Sequence, residues 1–394
     1  MSERVKLKSL YLSGFKSFAW SPLREVQRNG TTELDFQGKR VEFGDITVFL
    51  GANGAGKSNV VGLFKMLALA MNGELADHVG KNGKASSFLH LGPQVTPRME
   101  IALEFRGDTF TDGYRCILAD AAPDALIFTS EVVEYHADGT PKPVTVALGA
   151  GHSESKLSQD IQGTGTPASV ARVVRGLLQR CKAFQFHDTS TTAWVRKASY
   201  VDHSKYLRHD AGNLAAFLLG LRENHAQHYD LVRRTVGSAC PQFADFDLVP
   251  DDKDRTLFLN WRAKDRPDYL FGPHQLSDGT LRFMALTALL LQPASMKPAT
   301  IIIDEPELGL HPTAIALLAA MVNQAASNCQ VILTTQSPTL VDHFRLEDIR
   351  PMAHTAGAST FLAIEPNELA HWLEDYSLGE MWQKNLFRGG PEHV

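Results

Sequence analysis

The chain has 394 residues, of which 44% are hydrophobic and 21% are charged, and its formal net charge at pH 7 is -5. This apolar content is enough to bury a large core, as one big domain or as two lobes. The acidic balance excludes a strongly basic surface over the whole chain, although a local basic patch is compatible with it.

The sequence carries no membrane or secretion signal. It has no run of 18 or more apolar residues, so we expect no membrane-spanning helix. No apolar segment of the signal-peptide type follows the first six residues, which favours a cytoplasmic protein. The four cysteines form no CxxC pair, a pattern typical of scattered buried thiols in a reducing compartment: Cys116, Cys181, Cys240 and Cys329.

Hydrophobic periodicity predicts a mixture of strands and helices. The order of strand, loop, helix and strand predicts an α/β sheet with a parallel core. No internal repeat or sustained heptad pattern is present, so no coiled-coil arm is expected. In chain order, the predicted elements are strands at 5–12 and 46–50, a helix at 59–70, a strand at 99–105, loops with short β pieces such as 125–135 over 109–165, helices at 170–179 and 214–236, a short strand at 257–261, a helix at 281–291, a strand at 301–303, a helix at 315–326 and a strand at 331–334.

Residues Gly51–Ser58 match the pattern G-x-x-x-x-G-K-S without a gap, between a predicted strand and a predicted helix. Glycines let the backbone curl so that successive N–H groups point at phosphate oxygens, and the helix N-terminus adds partial positive charge. Lys57 would reach the β- and γ-phosphates, and the Ser58 hydroxyl would bind Mg²⁺. A plain glycine turn would need neither residue, so this phosphate loop predicts ATP and Mg²⁺ as cofactors.

Two acids, Asp304 and Glu305, follow the apolar strand around Ile301–Ile303. The carboxyl end of such a buried strand is where open α/β sheets bind ligands, beside the phosphate loop. There Asp304 would hold Mg²⁺, directly or through water, and Glu305 would act as general base on the attacking water. The alternative is that the acids cap the next helix, but the phosphate loop in the same chain favours catalysis.

The segment Gln275–Arg282 reads Gln-Leu-Ser-Asp-Gly-Thr-Leu-Arg. It resembles the signature loop of the ABC ATPases, and most closely that of their RecF and SMC branch, including bacterial predicted ATPases with an LSDGTLRF signature. The resemblance is strong over 5–105 and 270–350 and thin between them, where it rests mainly on Phe186–Ser190. Four further segments resemble motifs of this branch. They are the opening motif at Gly14–Phe18, the phosphate loop at Asn53–Asn59, the D-loop at Glu307–Pro312 and the switch strand at Thr334–Pro338.

The resemblance implies an α/β fold: an ABC-type nucleotide-binding domain with a P-loop, a parallel or mixed sheet core and an inserted lobe of helices and strands. The implied segments are an N-terminal ATPase lobe with the phosphate loop (1–108), an inserted lobe (109–270), a C-terminal ATPase lobe with the signature and the acid pair (271–350), and a tail suited to partner docking (351–394).

In such ATPases two nucleotide domains meet head to tail, so that the phosphate loop of one faces the signature loop of the other across ATP. The resemblance therefore implies a homodimer in which Ser277 and Gly279 touch the γ-phosphate bound by the partner. It also implies that Gln336 occupies the switch position and that Gln336 and Glu305 are the catalytic residues. The implied ATP-binding residues are Asn53, Gly54, Ala55, Gly56, Lys57, Ser58, Asn59, Ser277 and Gly279, and the implied metal ligands are Ser58 and Asp304.

Three positions depart from the family pattern. Asp278 replaces the first signature glycine and brings a negative charge towards ATP. Gln336 stands where many relatives have a switch histidine, so sensing of the γ-phosphate would rely on an amide. The Q-loop residue has two equal candidates, His90 and Gln94. These departures bear on turnover rate more than on ATP binding.

Three weaker signals each have two interpretations. His225 and His228, with His203 and His209 nearby, suggest a metal cluster, but a neutral helix surface is favoured because no carboxylate or Cys completes a tetrahedral set. Basic residues near the N-terminus form either a solvated face, which is favoured, or a nucleic-acid contact: Arg4, Lys6, Lys8, Lys16, Arg24, Arg28, Lys39 and Arg40. Clustered C-terminal aromatics favour core packing over a docking surface: Trp372, Tyr376, Trp382 and Phe387.

Together, these patterns predict an ATP-hydrolysing dimer that switches conformation with its nucleotide. Its output would go to a separately encoded effector, a nuclease or a toxin, or to DNA, in repair or phage defence; this part rests on analogy with relatives. Two alternatives stay open: a DNA-binding repair protein loaded by ATP, and a module that holds ATP with negligible turnover.

Overall fold

The structure is a computed structural model that describes residues 4–21, 24–28, 31–35, 39–364, 369 and 371–389. The chain divides into two compact units. The first comprises Met1–Lys182, Asp348–Tyr376 and Glu380–Val394, and the second comprises Ala183–Glu347 and Ser377–Gly379. Both units mix strands and helices, in agreement with the α/β class. The functional division into four segments is not tested by these units and stays a prediction.

An antiparallel sheet of six strands forms much of the first unit, in the order β4-β1-β6-β7-β8-β9. Side chains on β6 alternate between buried and partly exposed, as expected when one face of a sheet covers a core. A separate hairpin of β2 and β3 follows β1 in the chain. The bounds are β1 Lys6–Ser13, β2 Arg24–Arg28, β3 Thr31–Asp35, β4 Arg40–Glu42, β6 Arg98–Arg106, β7 Phe110–Ala121, β8 Ala125–Ala137 and β9 Val144–Gly149.

Strand β7 corrects the expectation for 109–165, which included no strand over 110–121, whereas β8 confirms the β piece predicted at 125–135 and extends it by two residues. They have 12 and 13 residues and pair from Phe110 opposite Ala137 to Ala121 opposite Ala125. Buried side chains such as Tyr114 and Leu118 recur at even spacing along β7, which is the period of a strand. The expectation was wrong because the Gly, Pro and Asp residues that suggested loops lie largely at the strand ends and in the turns.

The first unit also contains the strand that leads into the phosphate loop. This strand, β5, pairs in parallel with β18, which pairs antiparallel with β19. Phe49 of β5 packs against Phe43 and Phe361, with ring centroids 6.0 and 5.7 Å apart. The bounds are β5 Ile46–Leu50, α1 Lys57–Asn72, α2 Leu75–Lys81, α3 Lys84–Phe88, α4 Thr166–Gln179, β18 Ile349–Thr355 and β19 Ala358–Phe361.

The second unit has a parallel pair of fully buried strands, β16 and β17, in register from Thr300 opposite Gln330 to Asp304 opposite Thr334. Helix α7 is buried on nearly all sides and packs against α6 and α8. Its apolar sequence therefore indicates a central helix rather than a surface one. The bounds are α5 Leu214–Asn224, α6 Ala226–Ala239, α7 Asp278–Leu291, β16 Thr300–Asp304, α8 Pro312–Ala326, β17 Gln330–Thr335 and α9 Pro338–Val341.

Two further expectations need correction in the second unit. The predicted helix over 214–236 is two helices, because His225 has φ -143° and ψ 53°, outside the helical region. The predicted strand over 257–261 is two strands, β13 and β14, which pair with different partners, β11 and β12. The bounds are β11 Ser199–Tyr200, β12 Phe243–Asp247, β13 Thr256–Leu257, β14 Asn260–Ala263 and β15 Leu270–Phe271; β10 Cys181–Phe184 and α10 Leu378–Gln383 contain residues of both units.

Among the described residues, no helix combines the length and the apolar character needed to cross a membrane. The four cysteines are buried free thiols, as the scattered spacing predicted.

Candidate functional site

The phosphate loop, residues 51–58 of the first unit, joins β5 to α1. Gly54 and Gly56 have φ of 84° and 99°, a backbone conformation that glycine adopts without strain. The Lys57 ammonium donates to the Gly51 and Ala52 carbonyls at 2.8 and 3.1 Å. The loop is therefore curled around its own lysine, at the N-terminus of α1, as an anion-binding loop requires.

A group of hydroxyls supports the loop from one side. Ser17 accepts from the Asn59 amide at 2.7 Å and from the Ser359 hydroxyl at 2.8 Å, and its carbonyl accepts from the Ser359 amide. A Cβ on Gly56 would lie 2.3 Å from the Ser359 hydroxyl and 2.8 Å from that of Ser17. Only glycine fits there, so the opening motif around Ser17 has a direct structural role in holding the phosphate loop. No motif in the sequence pointed to Ser359.

The loop fits the nucleotide phosphates and Mg²⁺ that the motif implies. Asn53, Gly54 and Ser58 are exposed, whereas Ala55 and Lys57 are buried. An exposed row of backbone N–H groups can face phosphate oxygens, and an exposed serine hydroxyl is a hard oxygen ligand of the kind that Mg²⁺ accepts together with phosphate and water.

In the second unit, the buried Asp304 ends β16 and is held on both carboxylate oxygens. The Thr334 hydroxyl donates to Oδ1 at 2.5 Å, and the Gln185 amide donates to Oδ2 at 3.2 Å. A ring nitrogen of His187 lies 2.9 Å from the Asp304 carbonyl. The carboxylate is therefore fixed in orientation, as suits a ligand to a hard cation.

Glu305 has a backbone that few residues adopt. Its φ is 40°, in the left-handed region, which costs a non-glycine residue free energy unless the surroundings enforce it. The surroundings do so here, since its amide donates to the Thr334 carbonyl and hydroxyl, both at 3.1 Å. The fold thus enforces a turn of the backbone at Glu305, directly after β16 ends at Asp304.

A third acid, Glu307, lies beside this pair and was not singled out from sequence. Thr335 donates to its Oε1 at 2.5 Å, and the backbone of Gln336 also bonds to it. Its Oε2 is buried and has no hydrogen-bond partner among the described residues. Burial raises the pKa of Glu307, and the nearby Glu305 carboxylate raises it further, because adjacent negative charges oppose ionisation. Gln336, at the switch position, is half-buried directly after β17.

The signature loop, residues 275–282 of the second unit, leads into α7. Ser277 is exposed and caps the helix by accepting from the Thr280 amide at 3.2 Å, an arrangement typical of N-caps. A Cβ on Gly279 would lie 2.1 Å from the Gly309 carbonyl oxygen in the D-loop. The structure therefore requires glycine at 279 for packing within the chain, independently of any contact with ATP.

The acid of the signature loop is paired with Arg196, a residue that the sequence did not single out. The Arg196 guanidinium donates to the Asp278 carboxylate at 2.7 Å. Hydrogen bonding to Thr189 and then to Arg196 lowers the pKa of Asp278, since both stabilise its charged form. The negative charge of Asp278, which was expected to face ATP, is thus present, but the Arg196 guanidinium lies beside it.

Residues 185–190 connect the acid pair to the signature helix. Arg282 of α7 donates to the carbonyls of Phe186 and His187 at 3.0 and 2.8 Å, and to the D-loop carbonyl of Leu308 at 2.9 Å. The same segment bonds Asp304 through Gln185 and His187. This explains why Phe186–Ser190 kept a family resemblance within an otherwise dissimilar region.

The two Q-loop candidates differ in exposure. His90 is buried, and its ring lies 2.7 Å from the Lys16 carbonyl, whereas Gln94 is exposed. Gln94 is therefore the candidate with an amide accessible to a ligand.

The structure places the histidines and the C-terminal aromatic residues that the sequence suggested as weaker signals. His228 bonds to the Leu291 carbonyl at 2.7 Å, and within the described residues no three His, Cys, Asp or Glu side chains could hold a metal ion together. Trp382 and Phe387 are buried, whereas Trp372 and Tyr376 are half-buried and contact each other. Core packing therefore accounts for half of the aromatic cluster, and the docking surface stays a prediction.

Several basic residues near the N-terminus are neutralised by acids. Arg4 and Lys6 pair with Asp45 at 3.2 and 2.8 Å. Lys8 pairs with Glu42, and Arg40 with Glu104. Lys39 is buried and bonds to Ser21, and burial lowers the pKa of Lys16, whereas the side chains of Arg24 and Arg28 lie outside the described part of the chain. These pairs favour a solvated face over a nucleic-acid contact.

Comparison with known proteins agrees with the motifs. Residues 190–342 match the profile of a protein family described as "AAA domain, putative AbiEii toxin, Type IV TA system". No curated protein matches the chain in sequence. The structure is similar to an Smc head domain bound to the C-terminal winged-helix domain of ScpA, at 13% identity and a TM-score of 0.56, covering 93% of this chain and 99% of that one.

A second similar structure is an Smc head domain with an extended coiled coil, bound to the C-terminal domain of ScpA derived from Pyrococcus furiosus. It is 12% identical, with a TM-score of 0.55 and coverage of 94% of this chain and 99% of that chain. Identities this low show a shared fold alone. The profile match covers less than half of the chain, and together with the shared fold it agrees with the resemblance of the motifs to ABC-type ATPases of the SMC and RecF branch.

Proposed function

We propose that the chain hydrolyses ATP in sites completed by a second copy, and that the ATP cycle switches the dimer between conformations. The observation that carries this proposal is the curled phosphate loop, with left-handed Gly54 and Gly56 and a buried Lys57 at the start of α1. ATP binding needs that geometry, and a structural turn does not need it.

The acid pair supports hydrolysis in addition to binding. Asp304 and the Ser58 hydroxyl are the proposed ligands of Mg²⁺, which neutralises phosphate charge when bound. Glu305 is the proposed general base, because it directly follows Asp304 and its strained backbone, held by Thr334, is of the kind that clusters at functional sites. Gln336 is the proposed switch residue, and its backbone bond to Glu307 holds it next to the same strand end.

The exposed signature loop supports a composite site. Ser277 and Asp278, at the N-terminus of α7, are exposed, so a helix N-terminus with partial positive charge is available to a phosphate outside the chain. We assign Ser277 and Gly279 to the γ-phosphate of ATP bound by the partner copy. A head-to-tail homodimer would then contain two equivalent sites.

Mixing two inactive variants tests this arrangement. Ser277→Arg should bind ATP through its intact phosphate loop and fail to hydrolyse it, because a bulky cation would block the partner's nucleotide. Lys57→Ala should fail to hydrolyse ATP because its own phosphate loop is defective, although its signature loop is intact. A mixed dimer has one site with both loops intact, so mixing should restore part of the activity if subunits exchange. Ser238→Arg, at an exposed serine on α6, controls for the added arginine and should hydrolyse ATP normally.

Wild-type turnover by Ser277→Arg alone would contradict the composite site, as would a strictly monomeric Glu305→Gln protein at high concentration with ATP. A phosphate-release assay separates a hydrolysing switch from a module that holds ATP. Hydrolysis should also rise faster than linearly with protein concentration where the dimer is weak.

We further propose that the switch acts on another protein. The similar Smc head domains are solved in complex with a domain of ScpA, so a head of this fold can present a docking surface to a separate chain. An effector encoded nearby, a nuclease or a toxin acting in repair or phage defence, would fit this scheme. A gel shift with and without ATP tests the alternative of a DNA-loaded repair protein, which the neutralised N-terminal basic residues disfavour.

A further inference from the structure

Arg196 is the most thoroughly bound charged residue near the signature loop. Its side chain is only 6% exposed, although its partner Asp278 is 64% exposed. Besides the bond to Asp278, the guanidinium donates to three carbonyls: that of Thr189 at 2.7 Å, that of Leu276 at 3.2 Å and that of Pro273. A buried guanidinium is tolerated only when its donors and its charge are satisfied, and here residues 273–278 supply three of these four bonds.

These bonds define the shape of the loop. Pro273 begins the 3-10 turn 273–275, and Leu276 caps its end directly before Ser277. Asp278 is the first residue of α7. One side chain therefore binds the backbone before Ser277 and the carboxylate of the residue after it, and a rigid planar fork achieves this more precisely than a flexible ammonium would.

The same pair solves an electrostatic problem. An acid at the tip of a loop that meets a polyphosphate would repel it, because like charges close together oppose association. With Arg196 at 2.7 Å, the tip carries no net charge from the pair. Arg282 is also close, but its bonds go to Phe186, His187 and Leu308 rather than to Asp278.

We infer that Arg196 is a positioning residue for hydrolysis: it shapes the signature loop and neutralises Asp278, so that a loop carrying an acid can approach the partner's ATP. The inference rests on the proposed composite site. Arg196 and Asp278, which balance the charge of the loop, are 82 residues apart in the chain. Replacing one of them should therefore change the effect on kcat of replacing the other.

The test compares Arg196→Met, Asp278→Asn and the double variant. Arg196→Met should keep ATP binding by its own phosphate loop and lower kcat by about 10²-fold, the scale expected for a small misplacement of an active-site group. The double variant should recover about tenfold of that loss, because the unpaired carboxylate is gone. In an Arg196→Lys background a cation remains beside Asp278, so Asp278→Asn should bring no such recovery.

The Arg262–Asp247 pair, with N and O atoms 2.6 Å apart on β14 and β12 of the same unit, provides the matched control. Arg262→Met, with and without Asp247→Asn, should change stability but show no charge rescue of kcat. If Arg196→Met does not fold, Arg196→Gln with and without Asp278→Asn gives the same comparison, since glutamine keeps donors for the buried carbonyls.

Wild-type kcat in Arg196→Met, or a folded double variant no faster than Arg196→Met, would overturn the inference. These results differ from a failure of the proposed function itself. That failure would appear as a wild-type protein without hydrolysis, or as a Ser277→Arg protein with wild-type turnover.

Discussion

Gly279→Ala tests the packing of the signature loop on the D-loop. The new Cβ would lie 2.1 Å from the Gly309 carbonyl oxygen, where contacts below 3.0 Å essentially do not occur. One of the two backbones must therefore shift by about 1 Å. Gly309 itself has φ of 77°, and Arg282 binds the adjacent Leu308 carbonyl at 2.9 Å, so neither side gives way easily.

Two magnitudes follow from this overlap. Forcing an extra methyl group into packed structure costs about 1–3 kcal/mol, while replacing a helical glycine returns about 0.5–1 kcal/mol, which leaves a net loss of about 1–2 kcal/mol. A shift of about 1 Å at a group that contacts the reacting phosphate lowers the rate by about 10²-fold. ATP binding by the phosphate loop of the same chain should be unaffected.

Urea denaturation and phosphate release measure the two effects. Gly80→Ala in α2 and Gly176→Ala in α4 are matched controls, because a Cβ at either glycine would meet no atom within 4 Å. Each should raise stability by about 0.5–1 kcal/mol and leave turnover unchanged. A Gly279→Ala protein as stable and as fast as these controls would refute the steric argument.

Three other changes give independent tests. Lys57→Ala should abolish tight ATP binding in calorimetry, and an affinity within about threefold of wild type would argue against the phosphate loop. Glu305→Gln should keep ATP binding, trap the closed dimer and slow hydrolysis by about 10²-fold or more; unchanged turnover would remove Glu305 from the role of base. Burial raises the pKa of Asp112 to about 6, from its ordinary value of 3.8. Ionising this carboxyl therefore costs stability progressively as the pH rises through that interval, so the free energy of unfolding of Asp112→Asn relative to wild type should increase between about pH 4 and pH 7. A difference that falls over this range would show that the native carboxylate is stabilised.

The sequence predicted the local parts of the candidate site well, because their signals are contiguous. The strand 46–50 is observed with the predicted bounds, and the helix after the phosphate loop begins at Lys57. The strands that carry Asp304 and Thr334 were likewise found from short apolar runs. A short apolar run that is followed directly by glycine-rich or acidic residues is compatible with few structures other than a buried strand.

The partners of these residues could not be predicted, because they come from distant parts of the chain. Gln185 lies 119 residues before Asp304, and Ser359 lies 342 residues after Ser17. Only tertiary packing brings such residues together, and neither has a local pattern that distinguishes it. Strand β7 was missed for another reason: the turn-forming residues of 109–165 suggested loops and hid the alternation of buried side chains along the strand.

Residues 185–190 bear on the timing of the proposed cycle. They bond Asp304 on one side and Arg282 of α7 on the other. In a head-to-tail dimer, Asp304 would serve the nucleotide of its own chain, while α7 would face the nucleotide of the partner. A displacement of Asp304 at one site would therefore be transmitted through these bonds to the other. Such linkage is reciprocal, so binding of either nucleotide would change the affinity of the other site by the same factor, and the ATP response of the dimer would differ from that of two independent sites.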